Sequence, residues 1–326
     1  MPAVNSGKVL VTGANGFVAS WVVKSLLEQG YSVRGTVRSA SKAAHLQKLF
    51  AGFGDKLELV VVDDITKPGA FDEAVQGVDA IQHTASPFHF NAADPQDIIR
   101  PAVAGTTSVL ESARKYGSGV RRVVVMSSVA AVQENNLAET RIFSESSFNE
   151  KSISEVETKG QGRGPGGEAE LQWDLVVLNP PFVFGPVIHE VSEPSALNTS
   201  MNMWYFFVLK GAADKDTLAN FGADWVDVRD LGNASTVVLK KEEVGGQRFI
   251  VSAGPWKWQD WVNAARKISP AVPAGNEEYK SENAVHKIKF DTSRSERVLG
   301  IQYRSMDETT RDILAEFEKR GWWGEK

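Results

Sequence analysis

The sequence of 326 residues contains no cysteine, which excludes disulfide bonds, thiol nucleophiles and thiolate metal sites. It also has no apolar run long enough to cross a membrane. Residues 1–7 contain no apolar stretch of the kind found in signal peptides. These absences predict a cytoplasmic protein. The Asn-X-Ser/Thr motifs at Asn198 and Asn233 would then carry no glycan, because glycosylation needs the secretory route.

A strong excess of one charge is also lacking. The chain has 36 Lys and Arg residues against 41 Asp and Glu residues, so its net charge is −5. This balance predicts no surface for nucleic acid and none for a membrane. The 42% of hydrophobic residues are typical of a globular protein. A chain of this length can form one α/β domain with a smaller lobe, or two domains.

A glycine-rich motif follows the first predicted strand, Lys8–Thr12, and precedes a segment with helical periodicity. Gly13 permits a tight turn, Gly16 allows backbone to approach a pyrophosphate, and the small Ala19 lets the helix pack against the strand. The phosphates would lie at the positive end of the helix. Because the strand and the helix are both present, the motif predicts a bound dinucleotide rather than a plain structural turn.

The residues after the second predicted strand, 31–37, indicate which dinucleotide is bound. An acidic residue at this place would accept a hydrogen bond from a ribose 2′-hydroxyl. The chain instead has Arg38, Ser39 and, slightly later, Lys42. These residues suit a 2′-phosphate and favour NADP over NAD. The alternative is that the two cations are merely solvated at the start of a helix.

Further predicted strands and helices alternate along the chain, which predicts an α/β fold with a Rossmann-type, doubly wound parallel sheet. Residues 1–186 are predicted to form the dinucleotide-binding domain, with an irregular glycine-rich segment at 160–167. Residues 187–326 are predicted to form mainly a smaller C-terminal substrate lobe, with some segments, about 224–232, returning to the Rossmann core. The predicted elements of the first domain are strands at 57–62, 79–85, 121–126 and 173–179 and a helix at about 94–116.

The C-terminal part has a looser pattern. The aromatic run 204–209 predicts core, and lining of a substrate pocket is the alternative. Residues 224–230 and 247–252 are predicted to be strands. A helix is predicted to begin near Trp256, and another to span 305–319.

Polar residues follow several of the predicted parallel strands, where ligands bind in such sheets. Asp64 could accept a hydrogen bond from an adenine amino group, or it could simply end a solvated strand. Ser127 and Ser128 follow the fifth strand, where they could face substrate or only cap the strand end. His83 and His89 have no third suitable ligand nearby, so no metal site is predicted.

Six segments together resemble the extended short-chain dehydrogenase/reductase family. The resemblance is to its branch of dihydroflavonol-reductase-like enzymes and fungal aldehyde or ketone reductases, and it covers nearly the whole chain. It lies in residues 11–19 (VTGANGFVA), 33–38 (VRGTVR), 83–87 (HTASP), 127–128 (SS), 179–186 (NPPFVFGP) and 291–294 (DTSR).

This resemblance implies an NADPH-dependent oxidoreductase that reduces a small-molecule aldehyde or ketone, as a monomer or a homodimer. Ser128 matches the family's catalytic serine, which binds the substrate carbonyl oxygen, with Ser127 as the fallback. The family pattern assigns cofactor binding to Gly13, Asn15, Gly16, Phe17, Val18, Arg38, Lys42, Asp64, Ile65, Thr84, Ala85, Ser86, Pro180, Phe182 and Val183.

The family's Tyr-x-x-x-Lys pair is absent, because none of the five tyrosines has a lysine four residues later. Residues 160–167 stand where the pair belongs, and a helix of roughly 20 residues is predicted to be missing there. Ala102 also replaces a usual asparagine. Three explanations remain open: an incomplete or alternatively spliced chain, a substitute acid such as Tyr205, or a catalytically impaired NADP(H)-binding relative. An epimerase or dehydratase acting on nucleotide sugars would need the same tyrosine.

Overall fold

The computed structural model describes residues 3–86, 94, 96–134, 137–150 and 172–324. The glycine-rich segment 160–167, and with it the predicted gap in the helical pattern, lies outside these residues. The described strands, in chain order, are β1 (Lys8–Thr12), β2 (Ser32–Val37), β3 (Leu57–Val61), β4 (Ala80–His83), β5 (Arg122–Met126), β6 (Arg141–Phe143), β7 (Asp174–Asn179), β8 (Phe182–Phe184), β9 (Asp224–Asp227), β10 (Arg248–Ile250), β11 (Gly254–Pro255) and β12 (Ile288–Phe290).

A seven-stranded parallel sheet with the order β3-β2-β1-β4-β5-β7-β10 forms the centre of the structure. Strand β1 pairs with β2 on one side and with β4 on the other, so the chain reverses its direction of winding beside β1. A crevice forms at the carboxyl ends of the strands at such a reversal, and ligands bind there. The predicted Rossmann-type sheet is therefore confirmed.

Helices cover both faces of this sheet. The described helices are α1 (Phe17–Glu28), α2 (Ala43–Leu49), α3 (Gln96–Tyr116), α4 (Thr199–Trp204), α5 (Lys215–Asn220), α6 (Val228–Lys240), α7 (Trp258–Ile268) and α8 (Met306–Lys319). None of the helices in these described ranges is long and apolar enough to span a membrane.

Alternate residues of β1 point to opposite faces of the sheet and join two different cores. Val9 and Val11 pack with apolar residues of α1 and α6, whereas Leu10 packs with Val109 and Ala113 of α3. Helices α1 and α6 lie side by side, and the hydroxyls of their Ser25 and Thr236 are 2.9 Å apart. Strand β10 and helix α6, both from beyond residue 187, thus complete the layers begun by the first half of the chain.

A smaller set of elements lies beyond the carboxyl edge of the sheet. Strands β11, β9 and β8 form one small sheet, and β12 pairs with β6. The core here is aromatic: Trp204, Trp256, Trp258 and Trp261 are fully buried. After Trp204, the last residue of α4, Tyr205–Leu209 form a single π-helical turn. The run 204–209 contributes to this core, as predicted.

The prediction of a strand over residues 224–230 was wrong in its second half. Strand β9 ends at Asp227, and α6 begins at the next residue. The side chain of Asp227 accepts a hydrogen bond from the backbone N–H of Arg229 and so caps the helix. The apolar residues of this segment fit either periodicity, and the cap decides where the strand gives way to the helix.

Candidate functional site

The turn between β1 and α1 has a backbone conformation that favours glycine. Gly13 has φ +66°, and a Cβ added there would lie 3.1 Å from the Cβ of Ala85. A Cβ at Gly16 would lie 3.3 Å from the Gly13 carbonyl oxygen. The N–H of Gly13 donates to the Thr36 hydroxyl at 3.0 Å, which ties the turn to β2. Both glycines therefore leave backbone open at the start of α1, where the first amides of a helix lack partners within the helix.

A cavity of about 780 Å³ lies against this turn. It runs along the carboxyl ends of β1, β2, β3 and β4 and contains most of the residues predicted to bind cofactor. Its lining comprises Gly13, Asn15, Gly16, Thr36, Val37, Arg38, Ser39, Lys42, Val62, Asp63, Asp64, Ile65, Thr66, Thr84, Ala85, Ser86 and Pro101.

The cavity has a basic rim at the end of β2. Arg38 is exposed there and has no hydrogen-bond or ion-pair partner among the described residues. The ammonium of Lys42 contacts the carboxylate of Glu190 at 3.0 Å, and both side chains are about half exposed. Because Arg38 is unpaired, its planar guanidinium is available for a phosphate. Glu190 is a partner of Lys42 that sequence reasoning missed, since 148 residues separate the two.

Asp64 lines the same cavity beyond the end of β3, the strand next to β2. One of its carboxylate oxygens accepts from both the N–H and the hydroxyl of Thr66, at 2.9 and 2.6 Å. These bonds from Thr66 lower the pKa of Asp64, so its carboxyl group is ionised at neutral pH. Asp64 therefore shapes a turn and also lines the cavity, and its contact with an adenine stays a prediction.

A chain of hydrogen bonds supports the wall formed by residues 84–86. The hydroxyl of Thr12 accepts from the N–H groups of Thr84 and Ala85, at 3.1 and 3.0 Å, and lies 3.0 Å from Nδ1 of His83. Burial lowers the pKa of His83 to about 4, so its ring is neutral and Nδ1 can accept from Thr12. Nε2 of His83 then faces the hydroxyl of Thr106, at 3.3 Å. His83 thus connects the hydroxyls of Thr12 and Thr106 behind this wall.

Ser128 lies where β5 ends, beside the end of β7. Its hydroxyl oxygen accepts from the N–H of Ala130 at 3.1 Å, and its carbonyl oxygen accepts from the Asn179 side chain at 2.8 Å. The hydroxyl proton of Ser128 has no acceptor among the described residues, so it is available to another group. Both Ser127 and Ser128 are half-buried, and neither lines the cavity at the glycine turn.

Five residues assigned to the cofactor by resemblance lie outside the lining of the first cavity. Phe17 is buried, with its ring centroid 5.5 Å from that of His189. Val18 follows it on α1. Pro180 is buried, and its carbonyl accepts from the N–H of Val129 next to Ser128. The remaining two, Phe182 and Val183, belong to β8.

A second cavity of about 740 Å³ begins at Phe182 and lies between β8, β9 and the residues before β12. Its polar lining includes Asp224, Lys257 and His286. Gln133, five residues after Ser128, also lines it. Apart from Phe182, these residues escaped the sequence analysis because no local motif marks them. The described residues contain no group of three His, Asp or Glu side chains that could hold a metal ion.

Comparison with known proteins supports the resemblance read from the sequence. Residues 9–153 match the NAD dependent epimerase/dehydratase family. The ketoreductase azaE of Aspergillus niger is 34% identical, over 94% of this chain and 96% of that protein. The NADPH-dependent methylglyoxal reductase GRE2 of Saccharomyces cerevisiae is 31% identical, over 95% of this chain and 98% of that protein.

Solved structures agree with these sequence matches. The crystal structure of yeast methylglyoxal/isovaleraldehyde reductase Gre2 complexed with NADPH matches with a TM-score of 0.83 and 30% identity, over 97% of this chain and 100% of that one. Vestitone reductase from alfalfa matches with a TM-score of 0.74 at 22% identity, over 97% and 99% of the two chains, and supports the fold alone.

Proposed function

The chain belongs to the NAD dependent epimerase/dehydratase family, and we propose that it reduces an aldehyde or a ketone to an alcohol with NADPH. One observation carries this proposal. The glycine turn, the unpaired Arg38 and the wall at residues 84–86 line one cavity at the carboxyl edge of the sheet. The reductases compared above include an NADPH-dependent enzyme and an NADPH complex, which supports NADPH as the cofactor.

The residues of this cavity have separate roles in holding NADPH. Gly13 and Gly16 let the pyrophosphate approach the backbone amides of Phe17 and Val18, which begin α1. Arg38 with Lys42 binds the 2′-phosphate. Asp64 and Ile65 hold the adenine, and Thr84, Ala85 and Ser86 hold the adjoining ribose. Pro180, Phe182 and Val183 lie near the nicotinamide. When bound, NADPH supplies the hydride.

Ser128 polarises the substrate carbonyl in this proposal. Its oxygen accepts from Ala130, and its hydroxyl proton, which no described residue accepts, can be donated to the substrate. A hydrogen bond to the carbonyl oxygen stabilises the negative charge that develops there during reduction. The Asn179 side chain fixes the backbone of Ser128 and so sets the direction of the hydroxyl. The cavity that begins at Phe182 receives the rest of the substrate.

The proton for the alcohol needs another source, because the sequence has no Tyr-x-x-x-Lys pair. Tyr205 is not a substitute: it is buried and donates to the carbonyl of Trp322 at 3.1 Å, in the aromatic core. Losing a positioned proton donor slows a reaction by about 10²–10⁴-fold. This sequence feature favours a second candidate function, a catalytically impaired protein that binds NADP(H).

Substitution of Ser128 tests the proposal. We expect Ser128→Ala to lower kcat/KM for carbonyl reduction by about 10²–10³-fold, because the charged oxygen loses its donor. NADPH consumption with a panel of aldehydes and ketones measures this loss. Ser127→Ala is the matched control, and it should change the rate less. NADPH binding by the wild-type protein without turnover of any carbonyl would support the impaired alternative instead.

We propose that residues 1–186 hold the cofactor and that residues 187–326 mainly select the substrate, with 224–232 packed against the sheet. The position of α6 beside α1 supports the last part. Exchanging residues 191–223, which leaves the Glu190 partner of Lys42 in place, with those of a relative should change substrate preference and leave NADPH affinity unchanged. A change in both would contradict this division.

A cytoplasmic location and a monomeric or homodimeric state are also proposed. The absence of cysteine suits a reducing compartment. Cell fractionation tests the location, and light scattering of the purified protein tests the oligomeric state.

A further inference from the structure

The second cavity contains a buried cation without a carboxylate partner. Lys257 is only 8% exposed, and its ammonium donates to the Asn220 carbonyl at 2.8 Å. Within the part of the chain that the structure describes, no carboxylate lies within ion-pair distance of this ammonium. Burying an ammonium that has only a neutral partner costs free energy, because the lost hydration is not replaced by an opposite charge.

The acidic residue that acts on Lys257 electrostatically is Asp260, and its carboxylate is already engaged. It accepts from the backbone N–H of Lys257 at 2.7 Å and from the Tyr279 hydroxyl at 3.0 and 3.1 Å. These bonds fix Asp260 at the start of α7 and away from the cavity lining. The ammonium of Lys257 therefore keeps donors for a further acceptor.

Two more basic side chains line the same cavity. His286 and Lys287 precede β12, and among the described residues the ammonium of Lys287 donates to a single backbone carbonyl, that of Leu137, at 3.1 Å. Burial and the charge of Lys257 lower the pKa of His286, so the positive charge here belongs to the two lysines. The surface around them includes the apolar side chains of Phe182 and Phe221. A cavity with basic groups and apolar walls suits an organic anion.

Asp224 is the acidic group in the lining of this cavity. It is 3% exposed, and one of its oxygens accepts from the Ser252 hydroxyl at 2.8 Å. Its other oxygen has no partner among the described residues. Burial raises the pKa of Asp224 to about 6, so this carboxyl group still carries most of its negative charge at pH 7. The lining thus sets one acidic side chain, Asp224, against two ammonium groups, those of Lys257 and Lys287, that have no carboxylate partner among the described residues.

We propose that this cavity selects carbonyl substrates that carry a remote carboxylate, and that Lys257 binds this carboxylate. The inference rests on the proposed function, and it names the class of substrate as oxo acids. A charge-assisted hydrogen bond in a buried site favours the acid over its neutral ester by about 10- to 100-fold.

The test compares acids with their methyl esters. Reduction of 4-oxopentanoate, 6-oxoheptanoate and 8-oxononanoate by NADPH is measured beside reduction of each methyl ester. The wild-type protein should prefer the acid at least tenfold in kcat/KM at one chain length or more. Lys257→Met should lower kcat/KM for the acid at least tenfold more than kcat/KM for the ester, chiefly by raising KM for the acid. Lys257→Arg should restore most of the lost kcat/KM for the acid.

Lys56→Met is the matched control, because Lys56 is exposed and lies before β3, outside the lining of the second cavity. Lys56→Met should leave kcat/KM for the acid and for the ester unchanged at every chain length. Equal or better reduction of the ester at every chain length would overturn the inference, as would an equal loss of acid and ester in Lys257→Met. The wild-type comparison keeps the test valid even if Lys257→Met does not fold.

Calorimetry separates this inference from the proposed function. Each acid is titrated into the wild-type protein saturated with NADP⁺, which needs no turnover. Binding of an acid that Lys257→Met loses would support the anion site even if no carbonyl is reduced, in which case the proposed function alone fails. No binding of any acid would overturn the anion site even if neutral carbonyls are reduced.

Discussion

We propose that Arg38 distinguishes the two nicotinamide cofactors in this cavity. Its guanidinium is exposed and has no partner among the described residues. No acidic residue directly follows β2, where one would accept a hydrogen bond from a ribose 2′-hydroxyl. We expect Arg38→Ala to weaken NADPH binding by about 10- to 100-fold and to leave NADH binding unchanged, because only NADPH has the 2′-phosphate. Titrations followed by tryptophan fluorescence measure both affinities. Arg297→Ala, at another exposed arginine, is the control, and equal weakening of both cofactors would contradict this role.

We propose that Glu190 competes with the cofactor phosphate for Lys42. The two side chains are about half exposed and 3.0 Å apart, so the pair contributes at most about 1 kcal/mol. We expect Glu190→Gln to tighten NADPH binding by about two- to fivefold, because Lys42 is then free for the phosphate. The gain should shrink as salt is added, since exposed charges are screened. Unchanged affinity at low salt would show that Lys42 does not reach the phosphate.

Among the elements, the turn before α1 has a backbone constraint, and we propose that it also binds the cofactor. In Gly13→Ala, the new Cβ would meet Ala85 at 3.1 Å, and the residue would keep φ +66°. We expect the free energy of unfolding to fall by about 1–3 kcal/mol and NADPH affinity to fall at least tenfold.

Gly30→Ala provides the matched control for this turn. Gly30 has φ +94° at the end of α1, and an added Cβ would meet no atom within 4 Å. This variant should lose stability to a similar extent and keep its NADPH affinity. Denaturant unfolding and fluorescence titration of both variants separate the two effects. Equal NADPH affinity in the two variants would show that the turn is structural only.

For the whole molecule, buried ionisable groups make stability depend on pH. Burial lowers the pKa of His83 to about 4, and burial with the nearby charges of Arg320 and His45 does the same for His189. Unfolding restores their ordinary pKa of 6.5, so the unfolded state binds more protons between pH 6.5 and 4. Each histidine therefore costs about 2 kcal/mol of stability as the pH falls from 7 to 5.

Asp224 opposes this trend. Burial raises its pKa to about 6, so its contribution to stability is present at low pH and is lost as the pH rises through 6. Through Asp224, acidification from pH 7 to 5 therefore raises the free energy of unfolding by about 1 kcal/mol. The two histidines outweigh it, and we expect the free energy of unfolding to fall by about 2 kcal/mol over this range.

His189→Phe tests this balance. Nδ1 of His189 has no hydrogen-bond partner among the described residues, so an apolar ring of similar size fits the site beside Phe17. The free energy of unfolding of this variant should change much less between pH 7 and 5 than that of the wild type. Denaturant unfolding at the two pH values measures this difference. A difference as large as that of the wild type would mean that His189 is protonated in the folded protein.

The sequence by itself determined the parallel sheet, the glycine turn and the basic residues after β2. These features are local: apolar periodicity defines β1 and β2, and Gly13 and Arg38 stand at fixed distances from them along the chain. In a parallel sheet the carboxyl ends of the strands lie at one edge, so residues that follow different strands converge without further information. Most of the cofactor cavity could therefore be predicted.

Only the tertiary structure decided which distant residues complete the sites. Glu190 reaches Lys42 across 148 positions, and the second cavity draws Gln133, Lys257 and His286 from separate parts of the chain. Their positions depend on how the aromatic core packs the smaller sheets against the edge of the large one. Periodicity carries no information about such packing, because it records only which side of an element is buried. The cofactor half of the site is thus encoded locally, and the substrate half is set by packing.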